Sequence, residues 1–286
     1  MSITKSWMLI IRSETRTIIF AWSLTVSTLV AAGLRIEIPL LITTTLGGYL
    51  LSLSIYILSD MWDIDEDRIN SPGRPLASGA VSNRDAAILI SLIGFAAFYA
   101  AFSISMLTVA YFAAAFLLGI FYSAPPFRAK KKFPHKLIIP ATGAIVCSLT
   151  GGIIVGQING AIILASIAFA IFSLVTIFLG DVADLKGDQS SGIRSISVLI
   201  GAEKTVKVTL ILPLIIAVLG LSFYQPAGLN MLFPLSLMSA TGYCILIMAK
   251  LLGKSEDVKC CRTVKAKMRI MHLFMQLCFI IGVIPL

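Results

Sequence analysis

Asp60-Met61-Trp62-Asp63-Ile64-Asp65-Glu66-Asp67, together with its later echo Asp181-Val182-Ala183-Asp184-Leu185-Lys186-Gly187-Asp188, decides how the chain folds and what it holds. In each stretch aspartates stand at i, i+3 and i+7, a spacing that puts all three on one face of a helix end. The chain has 14 acidic residues among 286, and eight of them lie in these two stretches. One such comb is compatible with a solvated helix end. Two combs of identical spacing, each closing an apolar run in an acid-poor chain, indicate a shared task. Carboxylates this close repel one another unless a cation lies between them, and all-oxygen donors suit a hard divalent ion such as Mg2+.

The rest of the chain is apolar. A mean hydropathy of +0.95 with 58% hydrophobic and 13% charged residues falls far from the ~25% charge of soluble domains, which excludes an ordinary soluble enzyme. Segments near 17–34, 38–58, 86–104, 106–122, 137–156, 160–180, 205–222, 229–249 and 270–286 approach or reach the ~20 residues that cross a bilayer. The expectation is an all-α, multi-pass membrane protein with nine spans in a single domain over residues 1–286. Four spans separate the starts of the two combs, so spans one to four and five to eight read as two four-helix repeats, with one helix added.

The net charge of +9 would suggest nucleic acid in a soluble chain, but its distribution argues otherwise. All Lys and Arg except Arg35, and Lys207 at the start of the seventh span, fall before the first span or in every second loop, which the positive-inside rule assigns to the cytoplasm. Both combs then lie on the cytoplasmic side of the cell membrane, the N-terminus is inside and the C-terminus outside, and nucleic acid is not expected as a partner. Residues 3–16 read as an interfacial helix. The stretch from Lys250 to Arg269 reads as a basic loop in contact with anionic membrane lipid. The five cysteines have no C-x-x-C spacing and are expected free; His135 and His272 stand alone and read as interfacial residues. No removable signal peptide is evident.

The loops after the combs add donors. Ser71-Pro72-Gly73-Arg74 turns Arg74 back toward the first comb, and Ser190-Ser191-Gly192-Ile193-Arg194 does the same for Arg194 after the second. Between spans four and five, Tyr122-Ser123-Ala124-Pro125-Pro126-Phe127-Arg128-Ala129-Lys130 sets Tyr122, Arg128 and Lys130 around a rigid proline turn. Arginine forks beside metal-loaded carboxylates suit a diphosphate, and the spans beneath suit an apolar tail. Such a site takes an amphiphile. A cation bridging comb and diphosphate would stabilise the diphosphate as a leaving group. The apolar chamber would shelter the allylic cation left behind, with Trp62, Phe116 and Phe178 as aromatic candidates.

These motifs resemble the UbiA superfamily of intramembrane prenyltransferases, and the resemblance covers nearly the whole chain. Asp60, Asp63 and Asp67 match its N-D-x-x-D-x-x-x-D motif, and Asp181, Asp184 and Asp188 its D-x-x-D-x-x-x-D motif. The resemblance implies that all six aspartates are catalytic and hold Mg2+ with a polyprenyl diphosphate. It also implies that Arg12, Tyr122, Arg128 and Lys130 contact the head group, and that the prenyl group passes to a lipophilic acceptor. Ser59 stands where the first motif usually has asparagine, giving a shorter, weaker ligand for metal or phosphate. The run from Ile69 to Gly79 is similar to that of digeranylgeranylglyceryl phosphate synthases and chlorophyll synthases, and the intact second motif followed by Gly192-Ile193-Arg194-Ser195 resembles the lipid synthases more, which favours a glycerolipid acceptor and leaves aromatic, quinone-precursor and tetrapyrrole acceptors open. A membrane terpene cyclase would use the same ionisation. A cation-coupled transporter would place its acids nearer the bilayer midplane, and a CDP-alcohol phosphotransferase would need a D-G-x-x-A-R segment that neither comb has.

Overall fold

The computed structural model describes residues 2–286, apart from the side chain of Asn70. In chain order the helices are α1 (Ile3–Ser13), α2 (Thr17–Ala31), α3 (Ile38–Trp62), α4 (Ile64–Asn70), α5 (Asn83–Ile104), α6 (Met106–Ser123) and α7 (His135–Ile154). They continue as α8 (Gly160–Ala183), α9 (Leu185–Ser190), α10 (Ile196–Ile200), α11 (Ala202–Phe223), α12 (Leu232–Met248) and α13 (Val258–Val283). Eight of these, α3, α5, α6, α7, α8, α11, α12 and α13, are long and apolar enough to cross a membrane. The first expected span, α2, is an apolar helix of only 15 residues, rising about 22 Å, short of a ~30 Å hydrocarbon core. Among the described residues, eight helices of spanning length and the shorter α2 thus stand where nine spans are expected.

Capping residues fix several ends. Ser82, Ser105, Asn159 and Asp257 each accept a hydrogen bond from a backbone N–H three residues on, at 3.0–3.1 Å, and so start α5, α6, α8 and α13. The Asp257 cap corrects the expected loop from Lys250 to Arg269. Its second half is helix, and α13 begins twelve residues before the expected span, carrying five of the basic residues on its first turns. Ahead of the bundle, α1 buries Ser6 and Ile10, exposes Met8, Leu9 and Ile11, and is pinned by Trp7 Nε1 donating to the Asp85 carbonyl at 3.0 Å.

Helices α2, α3, α5 and α6 form one half of the bundle, and α7, α8, α11 and α12 the other, with α13 packed on α2, α8 and α12. The halves are joined by α2 against α7, where small residues let the backbones approach. A Cβ built at Gly151 on α7 would lie 2.7 Å from both Ser27 Cβ and the Thr28 backbone nitrogen. The second half is filled by Phe169, Phe172, Phe233, Phe279, Met268 and Met275. His272, expected at an interface, is instead buried there, stacked on Phe172 with ring centres 4.8 Å apart. The first half is less completely filled and contains the cavity described below.

Gly151→Val is therefore expected to force α2 from α7 and destabilise the protein by about 1–3 kcal/mol, read as a lowered midpoint of thermal unfolding in detergent; an unchanged midpoint would show that the contact relaxes at no cost.

Candidate active site

Each comb is broken at its middle aspartate. The first long helix ends at Trp62 and α4 begins at Ile64, with Asp63 between them at φ −105°, ψ 9°. In the second copy α8 ends at Ala183 and α9 begins at Leu185, with Asp184 at φ −104°, ψ 10°. The repeat is thus conformational as well as chemical. The three aspartates expected on one continuous helix face are divided by this break into an outer pair and a separate middle member.

The outer pairs share one cation apiece. Arg74 Nη1 lies 2.8 Å from Asp60 and 2.6 Å from Asp67. Lys136 Nζ lies 2.7 Å from Asp181 and 2.9 Å from Asp188. Asp60 is also met by Arg16 at 2.9 Å, whose guanidinium pairs with Glu14 at 2.6 Å and sits 4.5 Å over the Tyr56 ring. The middle aspartates behave differently: Asp63 is paired with Lys130, and Asp184 has only Arg262 and Lys265 at 3.9 Å. Among the described residues no three carboxylates, histidines or cysteines converge as a metal site. Yet in each half two carboxylates already converge on one cationic nitrogen, so a hard divalent ion fits where Arg74 Nη1 and Lys136 Nζ now stand.

The other expected residues divide in the same way. Ser59 accepts or donates a 2.8 Å hydrogen bond with Ser123 and donates to Asp63 at 3.3 Å, so it steers the middle aspartate and not the outer pair. Arg128, in a left-handed conformation at φ 39°, donates to the Trp62 carbonyl and pairs with Glu66 at 3.2 Å, tying the proline turn onto the first break. Lys131 joins it on Glu66 at 2.5 Å. Tyr122 stands at the cavity mouth within electrostatic reach of Asp63, Asp181 and Asp188. Two expected residues are not brought in. Arg12 is exposed on α1, and Arg16, one turn later, takes the place expected of it. Arg194 is exposed and contributes only a backbone N–H to the Lys131 carbonyl at 3.2 Å, while Lys136 supplies the second half's shared cation.

Below the outer pair of the first comb lies a cavity of about 160 Å³, walled by α2, α3, α6 and α7. Its aromatic walls are Phe20, Tyr56, Tyr111, Phe112 and Tyr122. Trp62, Phe116 and Phe178 do not line it; Phe116 packs edge-on against Phe98, and Phe178 is buried in α8.

Burial dominates the electrostatics outside the spans. It pushes Glu14 up to about 7 against the opposing pull of Arg16, and Asp67 up to about 6 against Arg74. Asp63 is raised by burial too, despite Lys130. For Glu66 the cations win: burial raises it, but Lys131 and Arg128 bring it below its ordinary value. Arg16 is held protonated against its own burial by Asp60 and Glu14. Carboxylates crowded and dehydrated in this way favour any added positive charge.

Residues 20–276 match the UbiA prenyltransferase family. The chain belongs to that family. Its UbiA relatives include a digeranylgeranylglyceryl phosphate synthase from Sulfurisphaera tokodaii, 28% identical over 240 residues and spanning 81% of each chain. Another is a homogentisate phytyltransferase from Synechocystis, 27% identical over 209 residues and spanning 68% of each. Among solved structures, a digeranylgeranylglyceryl phosphate synthase in membranes superposes with TM-score 0.75 at 20% identity over the whole of both chains. A UbiA homologue from Archaeoglobus fulgidus bound to GPP and Mg2+ superposes with TM-score 0.65 at 16% identity, covering 94% of this chain and 99% of that one. These likenesses identify the UbiA fold, and the protein is a multi-pass membrane protein of that family.

Two outcomes follow from the pairing. Lys136→Met leaves Asp181 and Asp188 buried without their cation, and should cost about 3–5 kcal/mol, measured by denaturation of the ligand-free protein. For Glu14 the folded state holds a proton that the unfolded state releases between its ordinary value of 4.5 and about 7. Its contribution to stability is full below that window and is lost as pH rises through about 7. Wild type should lose stability relative to Glu14→Gln between about pH 5 and about pH 8; a difference that stays constant would contradict the assignment.

Proposed function

We propose that this protein transfers a prenyl group from a polyprenyl diphosphate to a lipophilic acceptor, at the cytoplasmic edge of the membrane, with Mg2+. The single observation that carries this reading is the placement of two doubly carboxylated cation sites above one apolar cavity. The family membership and the Mg2+ and GPP described for the Archaeoglobus fulgidus homologue support it.

Asp60 with Asp67, and Asp181 with Asp188, are the residues that would hold Mg2+, with Asp63 and Asp184 adjacent. When bound, Mg2+ neutralises the diphosphate and makes it a better leaving group. The protein's own residues do the rest. Displaced from their carboxylates, Arg16, Arg74, Lys130 and Lys136 become donors to diphosphate oxygens, Arg16 and Arg74 as planar forks. Arg128, fixed on the Trp62 carbonyl, holds the proline turn over the head group. The cavity keeps water from the allylic carbon, and the faces of Tyr56, Tyr122 and Phe20 offer negative π-density to its developing charge. The carbon–oxygen bond breaks with its electron pair going to the diphosphate, the carbon bonds to the acceptor nucleophile, and the acceptor's proton leaves to water at the mouth.

A glycerolipid acceptor is favoured by the likeness to digeranylgeranylglyceryl phosphate synthase over 81% of the chain. An aromatic acceptor is the second reading, favoured by the homogentisate phytyltransferase likeness. The positive-inside distribution supports a cytoplasmic N-terminus and an outside C-terminus, with membrane lipid against the basic face of α13.

Purified protein in nanodiscs, given radiolabelled geranyl, farnesyl or geranylgeranyl diphosphate with pooled acceptors, should label an acceptor only when Mg2+ is present. Asp67→Asn or Asp188→Asn should lower the rate at least about 100-fold. Metal-dependent cyclised product without acceptor would instead establish a cyclase, and no turnover of any diphosphate would remove the catalytic reading.

A further inference from the structure

Glu14, Asp60, Asp63, Glu66, Asp67, Asp181 and Asp188 each have a basic nitrogen within 3.2 Å, Asp184 does not, and these contacts occupy Arg16, Arg74, Arg128, Lys130, Lys131 and Lys136. Two half-buried cations on α13 remain outside that pairing. Lys265 Nζ is 3.9 Å from Asp184, and Arg269 makes no hydrogen bond or ion pair among the described residues. At i and i+4 they share one face of α13.

That face looks into the mouth. Lys265 is within electrostatic reach of Asp181, Asp184 and Lys136, and Arg269 of Arg16, Arg74, Glu14 and Tyr56. Because Tyr56 lines the cavity, the pair runs from the second aspartate motif to the opening above the chamber. Room for it is built in: a Cβ at Gly180 would lie 2.6 Å from Lys265 Nζ. The pair faces Lys136, Arg16 and Arg74 as well as Asp181, Asp184 and Glu14, and among the described residues neither cation has an acceptor within hydrogen-bond distance, so an anion between them would gain two charged donors.

We propose that Lys265 and Arg269 bind the oxyanion head of the acceptor, a phosphate monoester or carboxylate on an amphiphile, and so set the acceptor class. This rests on the transferase reading. It separates two anion sites at one mouth: the diphosphate goes to the aspartate motifs and their paired cations, and the acceptor's head to α13. Arg269 supplies a planar fork and Lys265 a point charge.

The test measures binding without turnover, in phosphatidylcholine nanodiscs, for three amphiphiles with one alkyl tail: a glycerol monoether phosphate, the unphosphorylated glycerol monoether, and an alkyl hydroxybenzoic acid. Wild type should bind one or both anionic probes at least about tenfold more tightly than the neutral one. Lys265→Gln and Arg269→Gln should each remove about tenfold of that preference. They should leave the neutral probe and the Mg2+-dependent binding of geranylgeranyl diphosphate unchanged, and Lys265→Arg should restore the preference. Preference for phosphate over carboxylate would assign a phosphate-headed acceptor, and the reverse an aromatic acid. The proposal is overturned if wild type shows no preference for anions, if the variants weaken all probes alike, or if donor binding falls with them. Loss of the preference in phosphatidylglycerol nanodiscs would assign the pair to bilayer head groups and overturn it also. A protein that keeps the predicted pattern but transfers no prenyl group removes the transferase reading and leaves the anion site in place.

Discussion

Eight carboxylates gathered at the end of an apolar bundle are tolerable only if positive charge is delivered to each, and the structure depends on that compensation. A carboxylate removed from water without a partner would take up a proton or cost several kcal/mol. Sharing one cation between the first and third aspartates of each comb meets the requirement with few residues and draws the two carboxylates together. The helix break makes the sharing possible. By turning the chain at Asp63 and Asp184, it removes the middle aspartate from the row and lets the outer two converge. Under the proposed function a divalent ion and a diphosphate would replace the protein's own cations at this convergence, so ligand-free stability and substrate binding would draw on one set of contacts.

The cavity follows from a second constraint. Helices in lipid gain little from burying apolar surface against each other and associate by close packing. In the second half large aromatics and methionines complete that packing. Around the cavity α2, α3 and α6 of the first half meet α7 of the second, and the four helices do not close.

Much of this was legible in the sequence because acids are scarce there. The six aspartates, the membrane class, the repeat and Arg74 all came from spacing and charge position. The cations of the site were harder. At a cytoplasmic edge Lys and Arg are expected for topology alone, so Arg12 and Arg16, four residues apart, carry the same signal; only the end of α1 at Ser13 separates an exposed residue from one held on Asp60. Lys136 carried no motif at all. Lys265 and Arg269 were hidden because charge lowers hydropathy without ending a helix, and only the Asp257 cap reveals that α13 starts so early. The chamber's aromatics could not be read either, since helical period tells which residues share a face and not which face meets a void.

The walls of that chamber cross the boundary between the repeats: α2, α3 and α6 belong to one and α7 to the other. A single four-helix unit therefore supplies three walls and one comb, and leaves the cavity open on one side. If such units were once separate chains, ligand binding would have required two of them to associate, and activity would have depended on their concentration. With both units in one chain that dependence is absent, and a second half that retains its aspartates can have its interior filled by large side chains.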